Sequence, residues 1–369
     1  MVIEQQGCQP FVTIGVTTYN RKELLRKTLD SILAQSFTDF EVIVGNDYIE
    51  ELLTGEMIGI SDPRIRFVNH PQNLQEVGNM NALLEMADGR YFTWLYDDDL
   101  YAPDFLQTAY DSLTKAAYPQ AYFCSYIIFP DDQPIPEPIG RGGRLFEFSG
   151  VQFLDWYSVF KLKLFPTYGL FDTEVLQTRV GGFESLCDSP MALYSEYLFL
   201  AKCSMFDRIL FVDDPLYLYR FHEGSFSETN TELELYQTAG ENLVRRSSEV
   251  LQAPELIANY SANFLKICCL HLIEFAHKQG SHLYFVSTQE KQGFGVKAAC
   301  RILAGHWCEA SRIKRLYKHL GGTFGLHNQI FFFKVVLFCS YLMISHFFHF
   351  SRANSKRDQA KENDQPGLG

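Results

Sequence analysis

Three adjacent carboxylates, Asp97, Asp98 and Asp99, follow a run of aromatic and aliphatic residues in the stretch WLYDDDLYAPDF at 94–105. Like charges side by side repel, and none is easily buried without a partner, so the stretch requires a solvated loop or a bound cation. Hard divalent cations take oxygen ligands and often use only one or two protein carboxylates. The alternative is a loop or helix start ahead of Pro103, because aspartate favours the positive end of a helix.

The elements that must hold these carboxylates alternate between strands and helices. Four short runs are typical of buried strands: 11–20, 40–47, 64–69 and 91–96. Between them, Asn20 and Glu23 form a capping-box pattern at the start of the first helix, and Gly89 is expected just past the end of the second. This alternation predicts an α/β fold, a mostly parallel sheet with helices on both faces. Ligands of such sheets bind beyond the carboxyl ends of the strands, where Asp47 and the three aspartates fall.

The second half of the chain adds further elements. We expect a strand at 121–129, a helix at 191–206 and two short strands within 208–227, which end in a cluster of Arg220, His222, Ser225 and Ser227. Residues 231–320 have the pattern of helices throughout. The tail after Arg352 is charged and polar, and is predicted to be disordered.

Composition excludes several classes of protein. The 369 residues carry 32 basic and 44 acidic side chains, a net charge of −12. Because the sequence has no basic stripe before the last part of the chain, we do not expect nucleic acid as a partner. The nine cysteines show no CxxC pair, which suits a reducing compartment and free thiols. The amino terminus lacks the pattern of a secretory signal, and no GxGxxG dinucleotide fingerprint follows the first strand.

Taken in order, these stretches resemble the family 2 glycosyltransferases of GT-A fold, over about residues 10–227. The matching stretches are VTIGVTTYNR, EVIVGND, NLQEVGNMNALLEMADGRYFTWLYDDDL and PLYLYRFHEGSFS, and their order and spacing together make the resemblance specific. The resemblance implies a GT-A-like, Rossmann-type sheet, a nucleotide-sugar donor (a UDP-sugar favoured) and Mg²⁺ or Mn²⁺ at the acidic motif. It also implies inverting transfer of a sugar to a glycan or lipid-linked acceptor, in cell-surface polysaccharide synthesis.

On this resemblance the metal lies at the acidic motif. Asp99 matches the family's metal-ligating last aspartate, and Asp97 matches the first, which contacts a metal-bound water or the ribose, while Asp98 serves either role. His222 is expected to complete the metal shell with a neutral imidazole. Tyr96 departs from the commoner pattern, since it stands where a leading aspartate would be.

The resemblance also assigns residues to the donor. Asp47 matches the aspartate that accepts a hydrogen bond from the base, as uracil N3–H would need, although ordinary turn chemistry is the alternative. Thr17 and Tyr19 are expected to flank the same base. Arg220 is expected to clamp the diphosphate in two-point fashion. Asn81 matches the habit of one subgroup, and either contacts the donor or braces the loop.

An inverting transfer needs a carboxylate that deprotonates the acceptor hydroxyl on the face opposite the leaving group. In the stretch YSEYLFLAK, Glu196 takes the place where the family often has an aspartate, so we expect it to be the catalytic base. Asp188 is the reserve candidate. The alternative for Glu196 is an exposed glutamate in the first turn of a helix.

The carboxyl-terminal part divides the chain further. We expect four regions: a GT-A domain at 1–228, a helical region at 229–328, a hydrophobic segment at 329–351 and a disordered tail at 352–369. Residues 330–350 would reach about 31 Å as a helix, just enough to span a bilayer. Three alternatives stay open for them: a span, a helix lying in the membrane interface with basic neighbours on anionic lipid, or a core helix. The protein is expected in the cytoplasm, peripheral on the inner face of the cell membrane or anchored by this one segment.

Two other functions compete with the transferase. A sugar-phosphate nucleotidyltransferase uses the same type of sheet, but usually opens with a glycine-rich phosphate loop that VTTYNRKELL lacks. A non-catalytic, membrane-bound assembly partner with a degenerate donor site is the second, and the intact acidic motif and Asp47 argue against it.

Overall fold

The computed structural model describes residues 9–136, 142–158, 162–165, 167–221, 232–289, 296–341 and 343. The predicted metal ligand His222, with Ser225 and Ser227, lies outside the described residues, as does the tail at 352–369. The chain divides into two compact units, Met1–Glu228 and Thr229–Gly369.

The first unit is built on one sheet. In the described residues its strands are β1 (Val12–Thr18), β2 (Phe40–Asn46), β3 (Ile65–Asn69), β4 (Tyr91–Tyr96), β5 (Leu100–Tyr101), β6 (Ala121–Pro130), β7 (Leu145–Phe148), β8 (Leu170–Asp172) and β9 (Ile209–Phe221). They are ordered β3-β2-β1-β4-β8-β6-β9-β5, and β7 also pairs with β9. Strands β1 to β4, β6 and β9 run in one direction and the other three run against them. The prediction of a mostly parallel, GT-A-like α/β sheet is therefore confirmed.

Helices cover both faces of this sheet. They are α1 (Lys22–Leu33), α2 (Gln75–Glu85), α3 (Phe105–Lys115), α4 (Gly150–Ser158), α5 (Thr173–Val175) and α6 (Ser195–Cys203). Alternate residues of a strand point to opposite faces. Val12, Ile14 and Val16 of β1 belong to one core with α1 and α3. On the other face, a Cβ at Gly15 would lie 2.9 Å from Phe92 and 3.1 Å from Leu83, so this glycine lets α2 approach closely.

The strand predictions are confirmed for β1 to β4 and β6, but several boundaries differ. Arg21, not Asn20, is the N-cap residue of α1, because Asn20 has a φ of 53° and turns the chain ahead of the helix. Gly89 is not a helix cap, since α2 ends at Glu85. A Cβ at Gly89 would lie 2.4 Å from the backbone nitrogen of Thr13, which explains the glycine.

Two further predictions on the second half of unit 1 need correction. The segment expected to contain two short strands is one strand, β9, whose register to β6 shifts around Pro215. The irregularity fits a residue that lacks a backbone donor. The helix expected at 191–206 begins only at Ser195, after Tyr194 in a left-handed conformation with a φ of 59°.

The second unit is helical in its described residues, as predicted for 231–320. Its helices are α7 (Leu233–Leu251), α8 (Tyr260–Gln289) and α9 (Val296–His319), and residues 326–341 are also helical. A buried polar group joins them: His271 Nε2 lies 3.0 Å from Glu309 Oε1, and Arg312 Nη2 donates to the same oxygen at 2.7 Å. Burial would raise the pKa of Glu309, but the hydrogen bonds from His271 and Arg312 lower it to about 2.

The helix at 326–341 has two different sides. Phe332, Val336 and Cys339 are buried. Its other side exposes apolar residues to solvent: Leu326, Ile330, Phe333, Leu337, Phe338 and Tyr341. Within the described part of the chain, no helix combines the length and apolar character that crossing a membrane requires. Residues 344–350 of the predicted hydrophobic segment lie outside that part.

Candidate active site

The carboxyl ends of β1 and β4 bring the acidic motif next to the first loop of the chain. The two strands are parallel, with Thr17 beside Tyr96. Thr18 Oγ1 donates a hydrogen bond of 2.7 Å to Asp97 Oδ2. Below the loop, the hydroxyl of Thr28 on α1 lies 2.9 Å from the carbonyl oxygen of Asp97 and 2.8 Å from that of Asp99. Hydrogen bonds from Thr18 and from Thr28 therefore hold the loop of the motif from two sides.

A guanidinium group faces the first two aspartates. Arg21 Nη1 lies 3.4 Å from Asp97 Oδ1 and 3.0 Å from Asp98 Oδ2. Asp97 is nearly buried, whereas 17% of the Asp98 side chain and 35% of the Arg21 side chain are exposed. Two carboxylates that converge on one cation near a solvent-facing edge supply oxygen ligands of the kind that Mg²⁺ or Mn²⁺ takes. These residues fit the metal that the sequence predicts.

The third aspartate has a different environment. Asp99 is 1% exposed. Its Oδ2 accepts hydrogen bonds from the hydroxyls of Tyr168, at 3.0 Å, and Tyr217, and its Oδ1 accepts one of 2.9 Å from the backbone nitrogen of Arg220. The rings of Tyr168 and Tyr217 stack with their centroids 3.9 Å apart. Both oxygens of Asp99 are thus engaged inside the protein, which favours a structural role over the metal-ligand role expected from the sequence.

Burial and mutual repulsion make the motif costly to ionise. Burial raises the pKa of Asp97 to about 7, and the neighbouring Asp98 carboxylate adds to the rise, while Thr18 and Arg21 oppose it. Burial likewise raises the pKa of Asp99 to about 7, again with a contribution from Asp98. A site that holds carboxylates at this cost stabilises them with cations and hydrogen bonds.

The predicted base-binding residues lie at the ends of β1 and β2. Asp47 is 4% exposed; its backbone nitrogen donates to the Thr18 carbonyl at 3.1 Å, and its Oδ1 accepts a hydrogen bond of 2.6 Å from Leu74 N. Tyr19 is half exposed, and its ring meets that of Tyr48 edge to face at 5.3 Å. Thr17 is buried. The structure brings Asp47 and Tyr19 to the same edge as the acidic motif.

The predicted base Glu196 lies in the first turn of α6. Burial raises the pKa of Tyr96 well above its ordinary value; Glu76 adds to this, and so does the nearby charge of Glu196. The charge of Glu196 is thus close enough to raise the pKa of the residue that precedes Asp97. The reserve candidate Asp188 is exposed in the loop before α6.

Two other residues that were predicted to bind the donor interact with groups inside the protein. Asn81 exchanges two hydrogen bonds of 2.9 Å with the backbone of Phe183, so its amide braces the loop before α6. Arg220 is 2% exposed; its Nη1 lies 3.5 Å from Asp131 Oδ1, and its guanidinium lies 5.9 Å from the Phe129 ring. Arg220 reaches the acidic motif through its backbone nitrogen.

Comparison with known proteins shows which family part of this chain resembles. Residues 13–170 match the family model described as "Glycosyl transferase family 2". This part of the chain is therefore similar to a family 2 glycosyltransferase domain. The chain is 28% identical over 172 residues to "Putative colanic acid biosynthesis glycosyl transferase WcaA" of Escherichia coli, covering 43% of this chain and 61% of the relative. It is 33% identical over 98 residues to "Succinoglycan biosynthesis protein ExoO" of Rhizobium meliloti, covering 27% of this chain and 28% of that one. The match spans less than two thirds of either relative.

Solved structures are similar to the chain at low sequence identity. The structure of S. aureus TarS residues 1–349 in complex with UDP-GlcNAc has a TM-score of 0.49 and 13% identity, covering 76% of this chain and 87% of that one. The mannosyltransferase PcManGT from Pyrobaculum calidifontis, in complex with GDP-Man and Mn²⁺, has a TM-score of 0.46 and 15% identity, covering 85% and 86%.

Two residues of the glycosyltransferase domain were missed by the sequence analysis. Arg21 lies three residues after the first strand, and a basic residue at the end of VTTYNR was the available signal. Glu76 accepts hydrogen bonds from Tyr96 and from Ala192, and the second partner lies 116 residues away in sequence, where no local pattern reveals it. Among the described residues, no group of three or more His, Cys, Asp or Glu is placed to hold a metal by itself.

Proposed function

We propose that this protein is a metal-dependent, inverting glycosyltransferase that moves a sugar from a nucleotide-sugar donor, a UDP-sugar favoured, to a glycan or lipid-linked acceptor in polysaccharide synthesis. The observation that carries the proposal is the convergence of Asp97 and Asp98 on one cation, Arg21, in a family 2 domain. Relatives named for colanic acid and succinoglycan synthesis support the acceptor class.

We assign the metal to Asp98 and Asp97, because Asp98 is the most exposed carboxylate of the motif and both oxygens of Asp99 accept hydrogen bonds from inside the protein. Mg²⁺ or Mn²⁺ held there offsets the negative charge that develops on the departing nucleoside diphosphate. Asp99 instead fixes the shape of the loop through Tyr168 and the backbone of Arg220. His222, outside the described residues, keeps its proposed place in the metal shell.

The remaining roles belong to side chains at the same edge. Asp47 accepts a hydrogen bond from the base, using carboxylate lone pairs that are not engaged by Leu74 N. Tyr19 packs against the base. Glu196 takes the proton of the acceptor hydroxyl as the new bond to the sugar forms. Arg220 supports the diphosphate side of the site.

A direct experiment is to incubate the full chain with UDP- and GDP-sugars, with Mn²⁺ or with EDTA, and to measure release of the nucleoside diphosphate. Release that depends on Mn²⁺, and that Glu196→Gln cuts by about 10²-fold or more without changing donor affinity, is the expected result. Glu174→Gln is the matched control, since Glu174 is an exposed first-turn glutamate of another helix. Equal activity of Glu196→Gln and wild type, with loss of activity in Asp188→Asn, would move the base to Asp188.

A membrane surface is the partner we propose for the second unit, with the enzyme peripheral on the inner face of the cell membrane. Residues 303–341 hold five arginines and lysines and one glutamate, although the whole chain has a net charge of −12. The exposed apolar side of the helix at 326–341 lies beside Trp307 of α9, which is 42% exposed. Exposed aromatic residues flanked by basic ones suit an anionic lipid interface.

A further inference from the structure

One carboxylate connects the acidic motif to the helix that carries the proposed base. Glu76 Oε1 accepts a hydrogen bond of 2.7 Å from the hydroxyl of Tyr96, and its Oε2 accepts one of 2.9 Å from the backbone nitrogen of Ala192. The backbone nitrogen of Glu76 donates to the Pro190 carbonyl at 3.1 Å. Three bonds therefore join the first turn of α2 to β4 and to the loop before α6.

The two partners of this carboxylate lie next to the chemistry. Tyr96 is the last residue of β4, immediately before Asp97. Ala192 lies in the loop that leads into α6, four residues before Glu196. A single side chain thus links the strand end before the acidic motif to the loop that leads to Glu196.

The rest of the loop has other anchors. Ser195 Oγ donates to the Glu184 carbonyl at 2.6 Å, and Lys202 Nζ donates to the Gly182 carbonyl at 3.0 Å. Asn81 holds Phe183 by two hydrogen bonds. These contacts hold the helix and the beginning of the loop independently of Glu76, so a change at Glu76 acts mainly on residues 189–196.

Burying the charged carboxylate of Glu76 at this position costs free energy. Burial raises the pKa of Glu76, while its bonds with Ala192 and Tyr96 lower it. A half-buried charge is otherwise disfavoured at a site where an apolar side chain could pack. Its presence is explained if the two hydrogen bonds serve the alignment of the groups that they connect.

We propose that Glu76 is a positioning residue that holds Glu196 at a fixed distance from Asp97 and Asp98, through the Tyr96 hydroxyl and the Ala192 amide. The proposal rests on the proposed role of Glu196 as the base. Glu76 itself transfers no proton; it reduces the range of positions that the base can adopt. Misplacement of a catalytic group by about 1 Å can cost about 10²-fold in rate.

The test compares two substitutions of the same residue. In Glu76→Gln, the amide oxygen still accepts from Ala192 N and the amide nitrogen donates to the Tyr96 oxygen, so both links persist without the charge. Glu76→Ala removes both links, and Tyr96→Phe removes one. Expected values of kcat for nucleoside diphosphate release are within about twofold of wild type for Gln, and at least about tenfold lower for Ala with unchanged donor KM. Glu85→Ala, an exposed residue at the end of the same helix, is the matched control.

Hydrogen exchange gives a readout that does not depend on activity. Glu76→Ala should exchange faster than wild type in peptides that cover 189–196, and at the wild-type rate in peptides that cover 181–185. Unchanged exchange at 189–196, or wild-type kcat in the alanine variant, would overturn the proposal. A glutamine variant as inactive as the alanine variant would also overturn it, because the charge would then take part in the chemistry. Wild-type turnover in Glu196→Gln would instead remove the assignment of Glu196 as the base. Faster exchange of residues 189–196 in Glu76→Ala would still show that Glu76 holds this loop.

Discussion

The Nη1 atom of Arg21 lies 3.0 Å from Asp98 Oδ2, so the acidic motif carries its own cation. The same atom is 3.4 Å from Asp97 Oδ1. A divalent ion that binds these carboxylates must compete with the guanidinium of Arg21, whose side chain is partly exposed. The strength of the internal pair therefore affects how tightly the metal binds.

Replacing Arg21 with glutamine should strengthen Mn²⁺ binding in the absence of nucleotide. Because the pair is partly exposed, we expect a gain of about two- to fivefold in affinity, equivalent to about 1 kcal/mol or less. Isothermal titration calorimetry measures it directly. Arg26→Gln is the control, since Arg26 pairs with Asp30 on the exposed side of the same helix. Weaker Mn²⁺ binding in the Arg21 variant would contradict the competition.

Asparagine substitutions should distinguish the role of Asp98 from that of Asp99. Asp98→Asn should retain the stability of the fold and lose Mn²⁺ binding. Asp99→Asn should lower the free energy of unfolding by about 1–3 kcal/mol, because a buried acceptor of three hydrogen bonds is disturbed. Denaturant unfolding and Mn²⁺ titration of both variants check this. The opposite pattern, a stable Asp99→Asn that binds no metal, would return the ligand role to Asp99.

Asp47 should contribute to nucleotide affinity. Asp47→Ala is expected to weaken binding of the nucleoside diphosphate by about 1–3 kcal/mol, since a buried donor on the base loses its acceptor. Asp47→Asn keeps an oxygen for Leu74 N and controls for the loop. Calorimetry with UDP and GDP measures the effect, and equal affinities for all three proteins would limit Asp47 to shaping the turn.

The exposed side of the helix at 326–341 should bind anionic membranes. Phe333→Ser combined with Lys334→Glu should reduce co-sedimentation with vesicles that contain phosphatidylserine by about tenfold, because an inserted ring and a basic contact are lost. Lys115→Glu, in the last turn of α3, is the control. Unchanged binding of the double variant would remove this surface from the proposal.

Acid should destabilise the second unit through His306. The side chain is fully buried, and burial lowers its pKa to about 4, although nearby Glu309 opposes the shift and His271 adds to it. The unfolded chain gains a proton below about pH 6.5 and the folded one only below about 4, so stability falls as pH drops through that window. Denaturant unfolding at pH 7 and 5 should show a smaller loss in His306→Gln than in wild type. The exposed His327→Gln should behave as wild type.

Sequence patterns predicted the sheet well because strand burial is a local property. β1 to β4 have runs of β-branched and aromatic residues, and their carboxyl ends placed Asp47 and Asp97 correctly at one edge. Helix ends were predicted less well. Asn20 has the chemistry of a cap, yet its left-handed backbone serves the turn that aims Arg21 at the aspartates.

The roles within the motif could not be predicted from the sequence. Asp98 and Asp99 are neighbours of the same type, and only tertiary partners distinguish them. Tyr168 and Tyr217 donate hydrogen bonds to the Asp99 carboxylate, whereas the Asp98 carboxylate pairs with Arg21 and is partly exposed. Residue spacing along the chain contains no information about such contacts, because they form between segments that are distant in sequence.

The bonds to Asp99 also set the order in which the site can form. Tyr217 and Arg220 lie 118 and 121 residues after Asp99, and both are on β9. A chain leaving the ribosome folds from its amino end, so the acidic loop exists for much of synthesis without two of its three donors. Residues 13–170, the part that matches the family, contain the motif but neither of these donors. A fragment cut at 170 would therefore keep the acidic residues and lose two of the bonds that shape their loop, and in the full chain this centre cannot be complete before β9 has been made.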